Sequence, residues 1–573
     1  MAAIATDSAA SRRLAPRRVR LMPLVALIYF SVSGGAYGLE GLFSSSGPGI
    51  GIVLLLVTPL IYSIPHSLVC AELGTAIPVE GGYYYWVKRG LGKFFGFQQG
   101  MLQWVCSFVD MALYPVLFCS YLVNLVGAIA PGQHVLFTVS HLTFDLNWFI
   151  CVAVIVVFTL INLLGAGWVG ESSVLFAIIG LTPFVLLTGV GFVHLIHHGI
   201  NPVSQLTTSS SQSGLNAFAA GLFIVMWNYC GWDSVSTVAG EMENPRKHLP
   251  KALAISVGII MLGYLIPSIA ALGVGSGGAN GWANWEAGSF SAVGLQLGGK
   301  WLEWALTIGG MFASVAMFSS LLASNSRLPF ALSRDGYFPK FVAHESRRTK
   351  MPLVSIIGSS VIYALFCLSS FSNLVIFDVF LTNIGILLEV AALIALRIRE
   401  PELERPYRIP GGWASIAVIT TFLTGICVFA AYEEGWTANG DGTDSVWYSI
   451  IIVAGSILLF FPLELWRRSK VRRGLIVDAG SHGYVEWQAL EDLETPELRH
   501  DDVFHPAPAR RQRHLRRPGA PGAALGHAAA AGGRARQLRQ PRRGRCPGRD
   551  AVHRVPPDGR RDGDGREHRR GYR

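Results

Sequence analysis

The chain has 573 residues, of which 51% are hydrophobic and only 15% charged, with a formal net charge of +10. Soluble proteins carry roughly 25% charged residues, so a string of globular domains is excluded in favour of a chain that lives largely in lipid. The surplus positive charge does not announce a nucleic-acid partner, because the segment from Asp501 to Arg573 holds nineteen Arg, no Lys and seven acidic residues and thus more than accounts for it.

Residues 1–20 form a basic N-terminus without a small-residue cleavage site, so no removable signal peptide is expected. Apolar runs long enough to cross a bilayer, roughly 17–25 residues each, then follow one another over residues 21–466. In chain order they are Leu21–Phe43, Ile50–Cys70, Phe95–Ala128, Trp148–Leu164, Val174–Leu195, Leu215–Ala239, Ala252–Leu272, Leu302–Leu322, Leu353–Leu368, Leu374–Leu396, Trp413–Ala431 and Val446–Trp466. The expectation is an all-α membrane protein of about twelve transmembrane helices. Lys and Arg collect in alternate loops, at Arg12–Arg20, Lys88–Lys93, Arg246–Lys251, Arg327–Lys350, Arg397–Arg408 and Arg467–Arg473, whereas the loop 433–444 is acidic. This positive-inside pattern places both termini in the cytoplasm, with the chain in the plasma (inner) membrane.

Residues 467–500 read as a cytoplasmic segment. The tail 501–573 is low-complexity and without apolar periodicity, so it is expected to be disordered. A polybasic lipid-binding segment is one reading; a GC-rich gene read in a shifted frame is the other, which the composition favours. The eight Cys show no CxxC or Cys/His ligand spacing, so neither metal nor cofactor is expected.

Two runs are interrupted where they should be most apolar. The first carries Ser31, Ser33, Gly34, Gly35 and Gly38, and the sixth carries Asn228, Gly231 and Asp233 at midspan. Unwound backbone at that depth is tolerated where it is buried in protein or lines a cavity. Breaks five helices apart fit an inverted-repeat transporter with its site near the midplane. Carboxyl side chains also lie inside spans: Asp110, Asp233, Asp378 and Glu389, with Glu40 near the end of the first. From Phe94 to Pro245 there is no Lys or Arg. A buried acid then takes a proton, a cationic ligand or a water-filled cavity as partner. Asp378 and Glu389 are expected on one helix face with Thr382 and Gly385. Asp233, beside Trp232 and close to Tyr229, suits an ammonium group through charge pairing and cation–π attraction, with Tyr37 also lining the cavity. Alternatively it caps the half-helix that follows the break.

At these residues the chain resembles the amino acid–polyamine–organocation superfamily of permeases, and within it most nearly the polyamine-uptake branch of plants and trypanosomatids. The stretches that carry the likeness are SVSGGAYGLE (Ser31–Glu40), AELGTAIPVEGGYYYWV (Ala71–Val87), GFQQGMLQW (Gly96–Trp104), DMALYPVLF (Asp110–Phe118), WDSVSTVAGEMENP (Trp232–Pro245) and LRIREPELERPYRIP (Leu396–Pro410). The resemblance implies a leucine-transporter-type fold of two inverted five-helix repeats plus two C-terminal helices. It also implies substrate held by Ser33, Gly34 and Gly35 through backbone N–H groups, and by the stretch from Asn228 to Asp233. Glu72–Trp86 matches the family's cytoplasmic gating loop. The fifth-helix Lys of some proton-coupled relatives is missing here, so Glu40, Asp110, Asp378 or Glu389 is expected to serve a coupling proton. The implied function is secondary active transport of polyamines or amino acids by proton-coupled symport, with alternating access around the broken first and sixth helices; amino acid exchange is the alternative, a channel or nutrient sensor the competing class, and no phosphate loop, metal cluster or nucleophile elbow suggests an enzyme.

Overall fold

The structure, a computed structural model, describes residues 19–126, 134–139, 142–197, 214–278, 281–346, 349, 351–368, 371–432, 443–476 and 478. The N-terminal residues before Val19, most of the acidic loop, the greater part of the segment 467–500 and the whole Arg-rich tail lie outside the described residues.

Every apolar run of the sequence meets helix. The first run divides into α1 (Leu21–Val32) and the start of α2 (Glu40–Thr58). Within α2 the backbone bends at Gly47, whose φ of 78° only glycine adopts without strain, and Pro48 restarts the helix. A π-helical turn at Pro59–Ser63 passes into α3 (Ile64–Ala76). After the short α4 (Gly82–Leu91) come α5 (Lys93–Leu125), α6 (Leu146–Asn162), α7 (Ala166–His197) and α8 (Gly214–Asn228). Then follow α9 (Pro245–Ala271), α10 (Ser289–Gly298), α11 (Lys300–Asn325), α12 (Arg327–Arg334), α13 (Leu353–Phe366), α14 (Phe371–Arg399), α15 (Gly412–Tyr432) and α16 (Thr443–Arg472). Among the described residues eight helical stretches are long and apolar enough to cross a bilayer by themselves, and four more are apolar but shorter.

Two features depart from the sequence reading. The all-α expectation misses an antiparallel hairpin, β1 (Val135–Val139) with β2 (Leu142–Asp145), in which Phe137 and Phe144 stack at 4.6 Å. Its alternating apolar residues read as a helix-to-helix loop in a window dominated by longer runs. The sixth run also ends as a helix at Asn228, and its remainder forms two 3-10 turns, Ser234–Thr237 and Ala239–Glu241.

Helix α11 runs through the middle, packed against α5 and α7 and buried over most of its length. Lipid tails are as apolar as the helices, so association relies on close packing. Gly180 of α7 accordingly lies against Ala313 and the Gly309 carbonyl of α11. Outward faces carry exposed apolar side chains such as Ile178, Val185, Leu458 and Leu465.

Charged side chains gather at one end of the bundle. Glu72, at the end of α3, receives a bidentate grip from Arg397 of α14, and Arg405 stands 3.4 Å away. The Ile409 amide donates to the same carboxylate at 2.8 Å. Lys88 of α4 pairs with Asp335 at 2.6 Å, and Arg89 with Glu400 at 2.6 Å. Arg327, fully buried, reaches Glu241 and lies 3.9 Å from Glu80. Backbone bridges tie the 3-10 stretch to both neighbours, Val238 to Glu80 and Met242 to Val19. The gating-loop stretch of the sequence therefore sits at this end, with the Trp86 indole donating to the Ile77 carbonyl at 3.2 Å.

Candidate functional site

The two breaks meet in the middle of the bundle. At Gly231 the φ is 88°, and a Cβ there would collide with the Ser31 carbonyl oxygen, so only glycine permits this approach. The freed groups are taken up locally. Ser33 N donates to Tyr29 O at 2.7 Å, Gly35 N to Ser33 Oγ at 3.0 Å, and Tyr264 OH to the Asn228 carbonyl at 2.7 Å. Unwound backbone is thus buried in protein, as the interior requires.

Beside this contact lies a cavity of about 40 Å3. It is narrow and acidic. Ser31 and Val32 line it from α1, Asn228, Cys230, Gly231, Asp233 and Ser234 from the second break, and Met317, Leu321 and Asn325 from α11. Helix α5 contributes Cys106, Asp110 and Tyr114, and α14 contributes Asp378 and Thr382. Asp110 accepts from Tyr114 OH at 2.6 Å and from the Trp227 side chain, and Asp378 accepts from the Cys106 thiol at 2.7 Å. Asp110, Asp233 and Asp378 all face this one space, and among the described residues no Lys or Arg pairs with them.

Asp233 does not cap the turn that follows it; its side chain makes no cap hydrogen bond there. It instead contacts the carboxyl of Glu389. Glu389, fully buried, also accepts from Gln99 Nε2 at 3.1 Å and lies 3.2 Å from His66 Nε2. Cys70 Sγ stands 4.0 Å from the same carboxylate. Glu389 therefore shares a helix with Asp378 but backs the cavity instead of lining it.

Several residues expected around the substrate stand outside the cavity lining. Ser33, Gly34 and Gly35 are not among its lining residues; Gly34 packs against Met317, which is, and Gly35 against Phe184. Tyr37 donates to the Leu306 carbonyl at 2.9 Å and packs on Phe184. Tyr229 donates to Leu55 O at 3.2 Å, and the Trp232 indole donates to Tyr229 O at 2.7 Å. Those hydrogen bonds turn the polar tips away from the space. The lining aromatics are Tyr83, Tyr114 and Trp227. Glu40 lies elsewhere, bracing the first break. It accepts from the Gly38 amide at 2.7 Å, Tyr121 OH at 2.7 Å and the Gly288 amide at 3.1 Å.

Sequence reasoning missed His66, Gln99 and the lining aromatics. His66 had a signal, since a titratable side chain within a span is a functional candidate by default. Tyr114 had one too, four residues beyond Asp110 on a helix.

Comparison with known proteins adds to this geometry. Residues 24–456 match the family model described as amino acid permease. A polyamine transporter of Oryza sativa subsp. japonica is 36% identical over 398 residues, covering 70% of each chain. A polyamine transporter of Arabidopsis thaliana is 32% identical over 396 residues, 69% of this chain and 76% of its own length. An Asc-type amino acid transporter of Mus musculus is 25% identical over 495 residues, 80% of this chain and 83% of its own.

Proposed function

The chain belongs to the amino acid permease family of transporters, and from that premise we propose that it carries slim organic cations, polyamines before α-amino acids. The observation that carries this reading is the set of three carboxyl side chains, Asp110, Asp233 and Asp378, around one cavity with no basic side chain paired to them among the described residues. A zwitterionic amino acid brings its own carboxylate into that acidic space and is repelled there; a di- or triamine meets only opposite charge. The narrow bore suits an unbranched chain. The plant relatives, themselves polyamine transporters, support the same substrate class.

Transport proceeds by alternating access around the broken first and sixth helices, in a fold of twelve spans arranged as two inverted five-helix repeats plus two C-terminal helices. The basic end faces the cytoplasm with both termini, and the membrane is the plasma (inner) membrane. A proton is the coupling ion. Amino acid exchange is the second reading; the glycine-rich first break and the similarity to the mouse amino acid transporter favour it.

Uptake of radiolabelled putrescine and leucine into proteoliposomes, with and without a pH gradient, separates the two. Saturable putrescine uptake that leucine does not inhibit is expected. Saturable leucine uptake without putrescine competition would overturn the polyamine reading.

A further inference from the structure

Behind the cavity the hydrogen bonds fix which carboxyl carries a proton. Glu389 accepts from Gln99 Nε2 and faces His66 Nε2. His66 Nδ1 is buried and has no hydrogen-bond partner among the described residues. A buried N–H without an acceptor is costly, so Nδ1 is the bare lone pair of a neutral ring and Nε2 holds the hydrogen. Nε2–H then donates to Glu389. With two donors pointed at it, Glu389 is the ionised member of the carboxyl pair. The contact between Asp233 and Glu389 requires one hydrogen between two acidic groups. That hydrogen resides on Asp233, the member that also lines the cavity.

We propose that a proton and the ammonium end of the substrate compete for one place, the Asp233 carboxyl, with Glu389, Gln99 and His66 positioning it from behind. In the empty site Asp233–COOH donates to Glu389. An arriving ammonium pairs with Asp233–COO⁻, and the displaced proton leaves to water. Asp233 and Glu389 together then hold one cation more tightly than either would alone, and that cation is the proton or the amine, not both. Coupling on this account is exchange at a shared group, so the proton needs no separate seat at Glu40, Asp110 or Asp378.

The surroundings are suited to such an exchange. Cys70 Sγ of α3 lies 4.0 Å from the Glu389 carboxylate, and Tyr83 and Cys230 line the cavity with Asp233, while the Tyr62 hydroxyl before α3 donates to Asn383 at 3.0 Å. Asp378, on the same helix as Glu389, lines the cavity together with Asp110. All of these are neutral or acidic types, and no Lys or Arg among the described residues pairs with Asp233 or Glu389 to displace the proton permanently.

The inference rests on the cation-transport reading, so the test separates the two. Purified protein in weakly buffered solution is mixed with putrescine, and protons released are counted per putrescine bound. Release of about one proton per putrescine is expected, because each ammonium that takes the Asp233 carboxyl displaces the hydrogen held there. Calorimetry of the wild type in two buffers of different ionisation enthalpy gives the same count without a variant. Glu389→Gln removes the acceptor anion, so the ratio should fall several-fold whatever the remaining affinity. Putrescine binding with no proton release anywhere between about pH 5 and pH 8 overturns the inference and leaves cation binding intact. An unchanged ratio in Glu389→Gln overturns the role given to that pair. No putrescine binding at all by the wild type, with leucine bound, overturns the underlying reading instead.

Discussion

The two charged regions of the molecule are built on opposite rules. At the basic end each buried acid meets a base: Glu72 has Arg397 and Arg405, Asp335 has Lys88, Glu400 has Arg89, and Glu241 has Arg327. In the cavity the acids meet hydroxyl, thiol and indole groups, or another acid. A carboxylate in a low-dielectric interior costs several kcal/mol unless it is paired. The basic end offsets that cost within the protein, so its charges hold structure together. The cavity leaves it open for a proton or a cationic ligand to offset, so its charges are available for function.

Separating the two regions by substitution is the way to break this contrast, and the largest effect is expected at the basic end. Arg397→Met strands Glu72, which Arg405 at 3.4 Å only partly compensates. The expected loss is about 3 kcal/mol of stability, read by thermal or denaturant unfolding, with the preference for putrescine over leucine unchanged. A changed preference would mean that the end is part of the selective site. In the cavity the outcome reverses. Asp233→Asn should cut putrescine transport efficiency about a hundredfold, roughly 2.7 kcal/mol, while leaving the unfolding midpoint unchanged or higher. A cold, unfolded variant in place of a stable, inactive one would erase the distinction.

A smaller effect tests the join between the breaks. Gly231→Ala places a methyl group against the Ser31 carbonyl at a backbone angle that disfavours it. About 1–2 kcal/mol of stability should be lost, together with most uptake, because the two breaks can no longer touch. Ser31→Ala keeps that carbonyl and should not relieve the clash.

The smallest effect sharpens the contrast from the basic side. Glu80, a quarter exposed, is an acid there whose partner Arg327 is shared with Glu241. Burial lifts its carboxyl from the ordinary 4.5 to about 7; Arg327 pulls it down and Glu241 pushes it back up. A raised carboxyl favours the protonated form in the folded protein. Its contribution is therefore full below the ordinary value and is lost as pH rises through about 7. Stability followed by unfolding midpoint should fall across that window. Glu80→Gln, neutral throughout, should flatten this part of the fall by about 1 kcal/mol or less.

Much of the fold was legible because bilayer thickness forces long apolar runs, and each such run meets helix. The breaks were legible for the same reason, since Gly34, Gly35 and Gly231 interrupt runs that have no other reason to contain them. The turn at Gly47 was legible too, since the polar, Gly/Pro-containing stretch Ser44–Gly49 separates the first two runs, Leu21–Phe43 and Ile50–Cys70. The hairpin at Val135–Asp145 was missed because short alternating strands are faint beside spans. In the site, Asp110, Asp233 and Asp378 stood out as charges in lipid-like surroundings. Which aromatics share their cavity was not readable, since Tyr37, Tyr229 and Trp232 are close in sequence to the breaks yet turn their polar tips to backbone carbonyls. His66 and Glu389 are 323 residues apart, and nothing local links them.

The contrast between the regions rests on one claim: the cavity acids are there to meet positive charge. Thermal unfolding of the purified wild type with rising putrescine or 1,4-butanediol, a chain of the same length without ammonium groups, tests it directly. Binding to the folded form raises the midpoint in proportion to the logarithm of ligand concentration. Putrescine should raise it and 1,4-butanediol should not. An equal rise with both, or a rise with leucine and none with putrescine, would contradict the claim.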